Sequence, residues 1–128
     1  MNPNNNLEEW YEETVEISPK QIINSELDRL GEVFNDTGNQ ITPADGSWTQ
    51  KKRLAAIAVG KAVAHAVGKR EENYVTIEEV FEVVDMERKV VTARLSELAS
   101  EGYLKQLGEG KYVIEYSNLP DVLDYILE

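Results

Sequence analysis

The chain has 128 residues, no cysteine and a formal net charge of −11. That length suits one domain with an extension, and the missing thiols exclude disulfides and cysteine-ligated metal. No apolar run reaches the roughly 18 residues of a membrane span and no basic-then-apolar leader opens the sequence, so a soluble, cytoplasmic protein is expected.

Charge is unevenly divided. Residues 1–49 hold ten acids and two bases, residues 50–70 six bases and no acid, and residues 71–128 fourteen acids and five bases. Only the middle stretch is basic, and the rest favours solubility over contact with polyanions.

At the N-terminus, Met1 to Asn5 reads as a frayed end. Asn6 with Glu9 is a capping box for a short helix that places Leu7, Trp10, Tyr11 and Thr14 on one face. Its acids, Glu8 to Glu16, read as a solvated surface. Ser18-Pro19-Lys20-Gln21 is a clearer helix start, with Ser18 as N-cap, Pro19 in the first turn and Gln21 reaching back. The helix predicted near 20–35 puts Ile23, Leu27, Leu30 and Phe34 on one stripe. It should stop at Asn35 to Gly38, before a polar loop through Pro43 and Gly46.

Ser47 is the expected cap of a long helix over 48–67, ended by Gly68. Its apolar residues cover most of the circumference, as in a helix that is central or shared between subunits. Ala56, Gly60 and Ala64 form a ridge of small residues, and Gly60 costs about 1 kcal/mol of helix propensity, so close packing is its expected motive. Lys51, Lys52 and Arg53 lie in the first turn, where the helix dipole disfavours cations. Their compensation should come from the acidic N-terminal helix or from DNA phosphate. His65, the single histidine, reads as a packed side chain and not a metal ligand.

Lys69 to Asn73 is a charged turn and Tyr74-Val75 a short strand. Thr76 with Glu79 is a capping box for a helix over 77–84 that buries Ile77, Val80, Phe81 and Val84. Asp85 is the expected cap of the next helix, 87–101, with Met86, Val91, Leu95 and Leu98 inward and Gly102 at its end. Tyr103 to Leu107 and Lys111 to Tyr116 are paired strands closed by Gly108-Glu109-Gly110. Ser117-Asn118-Leu119-Pro120 starts a last helix, 119–127. Trp10, Tyr11, Trp48, Tyr112 and Tyr116 all fall where packing is expected, in preference to stacking on bases.

The organisation is therefore an acidic helical extension (1–47), a central domain (48–116) and a C-terminal helix (117–128). The class is mainly α with a small β-wing. Apolar stripes at both ends, Leu27, Leu30 and Phe34 with Leu119, Leu123 and Ile126, exceed the needs of one small domain. A homodimer through them is expected, with the Ala56-Gly60-Ala64 ridge as a further contact. There is no phosphate-binding glycine loop, no Gly-x-Ser-x-Gly and no thiol nucleophile, so neither an enzyme nor a bound cofactor is expected.

From Thr76 to Tyr116 the chain resembles the winged helix-turn-helix superfamily, broadly the MarR-like and ArsR-like microbial transcription regulators. The resemblance rests on Thr76-Ile77-Glu78-Glu79-Val80, Arg94-Leu95-Ser96-Glu97-Leu98, Glu101-Gly102-Tyr103-Leu104 and the Gly-Glu-Gly turn before Lys111-Tyr112; with the helix at 51–67 as the first of the tri-helical core that it implies, it covers about half the chain. It implies that 87–101 is a recognition helix whose outer face meets double-stranded DNA through Arg88, Lys89, Thr92, Ala93 and Ser96. Lys105 and Lys111 would flank the wing. Glu87 stands where these families usually have Ser or Thr, and Ala93 where an arginine is common. The alternative is a winged helix that binds a basic protein partner through its acidic surface.

Overall fold

The computed structural model describes residues 18–34 and 48–128. The expected helix at Asn6–Thr14, the stop at 35–38, the loop through Pro43 and Gly46 and the Ser47 cap lie outside these residues. The described chain is mainly helical with one small antiparallel sheet. In order it runs α1 (Pro19–Ser25), α2 (Leu27–Val33), α3 (Gln50–Ala66), β1 (Tyr74–Thr76), α4 (Ile77–Val83), α5 (Arg88–Ser100), β2 (Lys105–Gly108), β3 (Lys111–Val113), a 3-10 turn (Tyr116–Asn118) and α6 (Leu119–Leu127).

α1 starts as its residues require. Ser18 and Gln21 exchange side-chain and backbone bonds in a complete capping box, with Pro19 in the first turn. The single helix expected near 20–35 is instead two, broken at Glu26 (φ −112°, ψ 11°). The buried face also differs from the apolar stripe. Ile22, Ile23, Leu30 and Val33 point inward, while Leu27 is 57 % exposed and Phe34 only half-buried. The reason is polar. Glu26 and Arg29 sit in the middle of the inward face, where Arg29 Nε donates to Glu26 Oε2 at 2.6 Å. Arg29 also bonds Asp124 and the Pro120 carbonyl of α6. A charged clamp onto α6 rotates the face away from the stripe that hydrophobicity alone selects.

α3 is the central element, packed on α5, α6, α1, β1 and β3. Its cap is Thr49 and not the expected Ser47, because the helix starts at Gln50 and the Thr49 side chain accepts from the Lys52 amide. It ends in a Schellman motif, with the Lys69 amide on Ala64 O, the Gly68 amide on His65 O, and Gly68 at φ +79°. The small-residue ridge is used within the chain. Ala56 is fully buried, and a Cβ on Gly60 would meet the Phe34 ring at 3.2 Å.

β1 hands over directly to α4 at Thr76, whose capping box with Glu79 is complete. Arg70 reinforces it, with one guanidinium nitrogen bonding both Glu79 Oε1 and Tyr74 O. α4 buries Ile77 and Val80 but leaves Phe81 at the surface, a departure from the expected face. α5 buries Val91, Leu95 and Leu98 completely. It too ends in a Schellman motif at Gly102, with the Tyr103 amide on Leu98 O. That motif takes the backbone of Tyr103 and Leu104, so β2 begins only at Lys105 and not at Tyr103.

The strands lie in the order β1-β3-β2, all antiparallel. Tyr74, Val75 and Thr76 face Val113, Tyr112 and Lys111. A bulge between Gln106 and Gly108 bends the β2–β3 hairpin, and Gly110 supplies a positive φ at its turn. β3 ends at Val113, so Tyr116 is not in the strand. It opens the 3-10 turn, and its hydroxyl donates to Ala62 O of α3 at 3.0 Å.

α6 begins at Asn118, which makes no side-chain cap to its own helix. Its amide group instead donates to Gly102 O at 2.7 Å, tying α6 to the end of α5. Leu119, Val122, Leu123 and Ile126 are fully buried within the single chain. This corrects the expectation that Leu119, Leu123 and Ile126 form a dimerisation stripe. Their apolar face is spent against α2 and α3, and Leu30 is likewise interior. Of the residues expected at a dimer contact, Leu27 is exposed, and Phe34, Gly60 and Ala64 are half-buried.

Candidate nucleic-acid interface

Six consecutive elements, α3 to β3, frame the face that the winged-helix resemblance would turn to DNA. β1 leads into α4, a four-residue turn reverses the chain, and α5 leaves with its N-terminus outward. Glu87, not Asp85, is the N-cap of α5. Its carbonyl accepts from the Val90 and Val91 amides, while its side chain makes no capping bond.

Arg88 and Lys89 follow, both exposed. Arg88 donates to Glu78 of α4, and this bond, before any other cause, holds the Glu78 carboxyl below its ordinary pKa. Lys89, 83 % exposed in its side chain, lies 3.6 Å from Glu87. Thr92 Oγ1 donates to Arg88 O one turn back at 3.0 Å, so the hydroxyl proton is engaged and its lone pairs remain outward acceptors. Ala93 is half-buried. Ser96 approaches the Tyr112 hydroxyl at 3.5 Å, where α5 meets β3.

Lys111 is opposite Thr76 in the ladder, with its ammonium 5.0 Å above the Tyr74 ring. Lys105 is paired with Glu115 at 3.5 Å, nearer the base of the hairpin. The structure thus gathers Arg88, Lys89 and Thr92 on the first turns of α5. It places Ser96 toward the sheet and Lys111 beside the turn of the hairpin, and leaves Lys105 apart from the first three.

Charge on this face is balanced, not positive. Arg88, Lys89 and Lys105 each have a glutamate partner, and Arg94 makes a two-pronged bond to Glu97 with both contacts 2.7 Å. Glu78 escaped the sequence reading because it pairs across a helix-turn-helix, ten residues from Arg88, and no spacing rule reports such a contact.

The bases at the start of α3 are also answered within the described residues. Lys51 bonds Glu101 and lies 3.9 Å from Glu97, and the Glu101 bond is the first cause of its raised pKa. Lys52 lies 3.8 Å from Glu128 and 5.6 Å above the Tyr125 ring. The unfavourable dipole placement is therefore offset by the end of α5 and the end of the chain. His65 Nδ1 lies 3.2 Å from Arg70 O, a packing role.

Among the described residues there is no cluster of metal-ligating side chains, and no helix is long and apolar enough to cross a membrane. No family model, curated protein or solved structure matches the chain.

Proposed function

We propose that this chain is a winged-helix protein that binds duplex DNA, with α5 in the major groove and the β2–β3 hairpin against the backbone. The observation that carries the reading is the order α3-β1-α4-α5-β2-β3 with β1 joined to β3. It leaves the first turns of α5 projecting beside a bent hairpin, with Arg88, Lys89 and Thr92 outward. A helix docked by its N-terminal half presents such side chains to base edges. Thr92 and Ser96 offer hydroxyls, and Lys111 sits where a hairpin meets phosphate.

The ion pairs on this face do not forbid that role. Exposed pairs are worth about 0–1 kcal/mol, so phosphate can displace Glu78 or Glu87 at small cost. They do predict modest affinity, because few phosphates are neutralised. Two subunits would double the cations and span half-sites about one helical turn apart.

A second reading has its own observation. Tyr103 and Tyr125 stack at 4.5 Å in a depression lined also by Glu101, Asp121, Asp124 and Glu128. Glu101, Asp124 and Glu128 are already paired with Lys51, Arg29 and Lys52, so a basic protein partner would bind here by displacing those cations.

Variants separate the two. For a selected duplex, Arg88→Ala and Lys89→Ala should each weaken binding by roughly 1–3 kcal/mol and relax discrimination at one base pair. Lys111→Ala should weaken all sequences alike. If all three folded variants bind as wild type does, α5 does not meet DNA and the acidic surface becomes the site.

A further inference from the structure

The sheet has two faces, and side chains alternate between them along each strand. Val75 and Tyr112, opposite each other in the ladder, are buried in the core. Tyr74, Thr76, Lys111 and Val113 therefore share the other, outer face. Tyr74 stands opposite Val113 and Thr76 opposite Lys111, which makes Tyr74 and Lys111 diagonal neighbours. A diagonal pair is within reach of an aromatic ring and a long side chain, and the Lys111 ammonium lies 5.0 Å from the Tyr74 ring centroid. The ring stands on a fixed base. One Arg70 guanidinium nitrogen donates to Tyr74 O at 2.8 Å and to Glu79 Oε1 at 2.6 Å. The backbone of Tyr74 is thereby tied to the capping box that starts α4.

In this Lys111 differs from the other cations considered for DNA. Arg88, Lys89 and Lys105 are each ion-paired with a glutamate. Lys111 has no such pair among the described residues and has the ring instead. A carboxylate cancels the charge it holds, whereas a ring attracts a cation through its quadrupole and leaves the charge intact. Lys111 is thus both fully charged and already oriented. Ordering a long side chain on binding lowers affinity by about two- to tenfold, and a lysine held in place beforehand avoids most of that loss.

We propose that Tyr74 is a positioning residue for nucleic acid: its ring holds the Lys111 ammonium near the turn of the hairpin, where it meets a phosphate of the duplex backbone. The proposal rests on the DNA-binding reading and adds to it a side chain that carries no charge of its own.

The test is a double-mutant cycle on the full chain, read as affinity for mixed-sequence duplex DNA at low salt, with each variant checked for fold by circular dichroism. Tyr74→Ile removes the ring, changes no charge and suits a strand. It should weaken binding about two- to tenfold. Tyr74→Phe keeps the ring and should bind as wild type does. In a Lys111→Ala background Tyr74→Ile should have no further effect. A second readout needs no DNA. The ring current should shift the Lys111 ε-methylene protons upfield in the NMR spectrum of wild type and of Tyr74→Phe, and the shift should vanish in Tyr74→Ile.

An equal loss from Tyr74→Ile with and without Lys111 overturns the proposal, because the ring then acts through the strand and not through the ammonium. So does an unshifted Lys111 ε-methylene in wild type. If Arg88→Ala and Lys111→Ala weaken binding while folded Tyr74→Ile binds as wild type does, the positioning role falls and the DNA reading stands. If wild type of verified fold binds no duplex, the DNA reading falls and the positioning role falls with it, whatever the ring shift.

Discussion

Glu87 is the residue at which local stability and proposed function conflict. As N-cap of α5 it makes no side-chain bond, although its negative charge suits the helix dipole. A serine there could accept from an amide of the first turn, and caps of that kind are worth about 1 kcal/mol over a residue that makes none. Glu87→Ser should therefore leave thermal stability equal or slightly raised and strengthen nonspecific DNA binding, both measurable on one preparation. Unchanged DNA binding would mean that the carboxylate does not face phosphate. Leu123 illustrates the opposite case. A stripe of Leu119, Leu123 and Ile126 says that these side chains are covered but not by what, and the structure covers them from within. Leu123→Ala should cost roughly 2–5 kcal/mol in urea denaturation, with no change of oligomeric state ahead of unfolding. Dissociation into folded monomers would contradict the burial.

Among the elements, caps were the most legible part of the sequence, because they join residues three apart. The boxes at Ser18 and Thr76 and the stops at Gly68 and Gly102 all stand where the sequence places them. Thr76→Ala should lower stability by about 1 kcal/mol, and since Thr76 also pairs with Lys111 in the sheet, the hairpin amides should exchange faster. Unaltered exchange there would uncouple the cap from the sheet. What was not legible depends on distant partners. The break at Glu26 and the rotated face of α2 follow from Arg29 reaching α6, and the late start of β2 follows from the Schellman motif of α5. The Arg88–Glu78 pair across α4 and α5 belongs to the same class. Glu78 is held below its ordinary pKa, so the pair is intact above the usual carboxylate range and is lost as pH falls through the depressed value. In a DNA complex that loss frees Arg88. Affinity should rise on the acid side of this titration in wild type, and the part due to Glu78 should vanish in Glu78→Gln.

The whole molecule sets helical packing around α3 against an acidic exterior. Its central core is continuous from Leu54 and Val59 of α3 through Val91, Leu95 and Leu98 of α5 to Leu119 and Ile126 of α6. One face of α5 remains outward, with its cations matched by carboxylates. Such a face binds DNA only by exchanging internal partners for phosphates, so its salt response should be shallower than a basic protein's. The most direct measurement is the affinity for mixed-sequence duplex DNA across a salt titration, with Arg88→Ala and Lys111→Ala alongside. Log affinity should fall linearly with log salt, with a slope of a few units that drops by about one in Lys111→Ala. Affinity independent of salt, or no binding at low salt by wild type of verified fold, would contradict it.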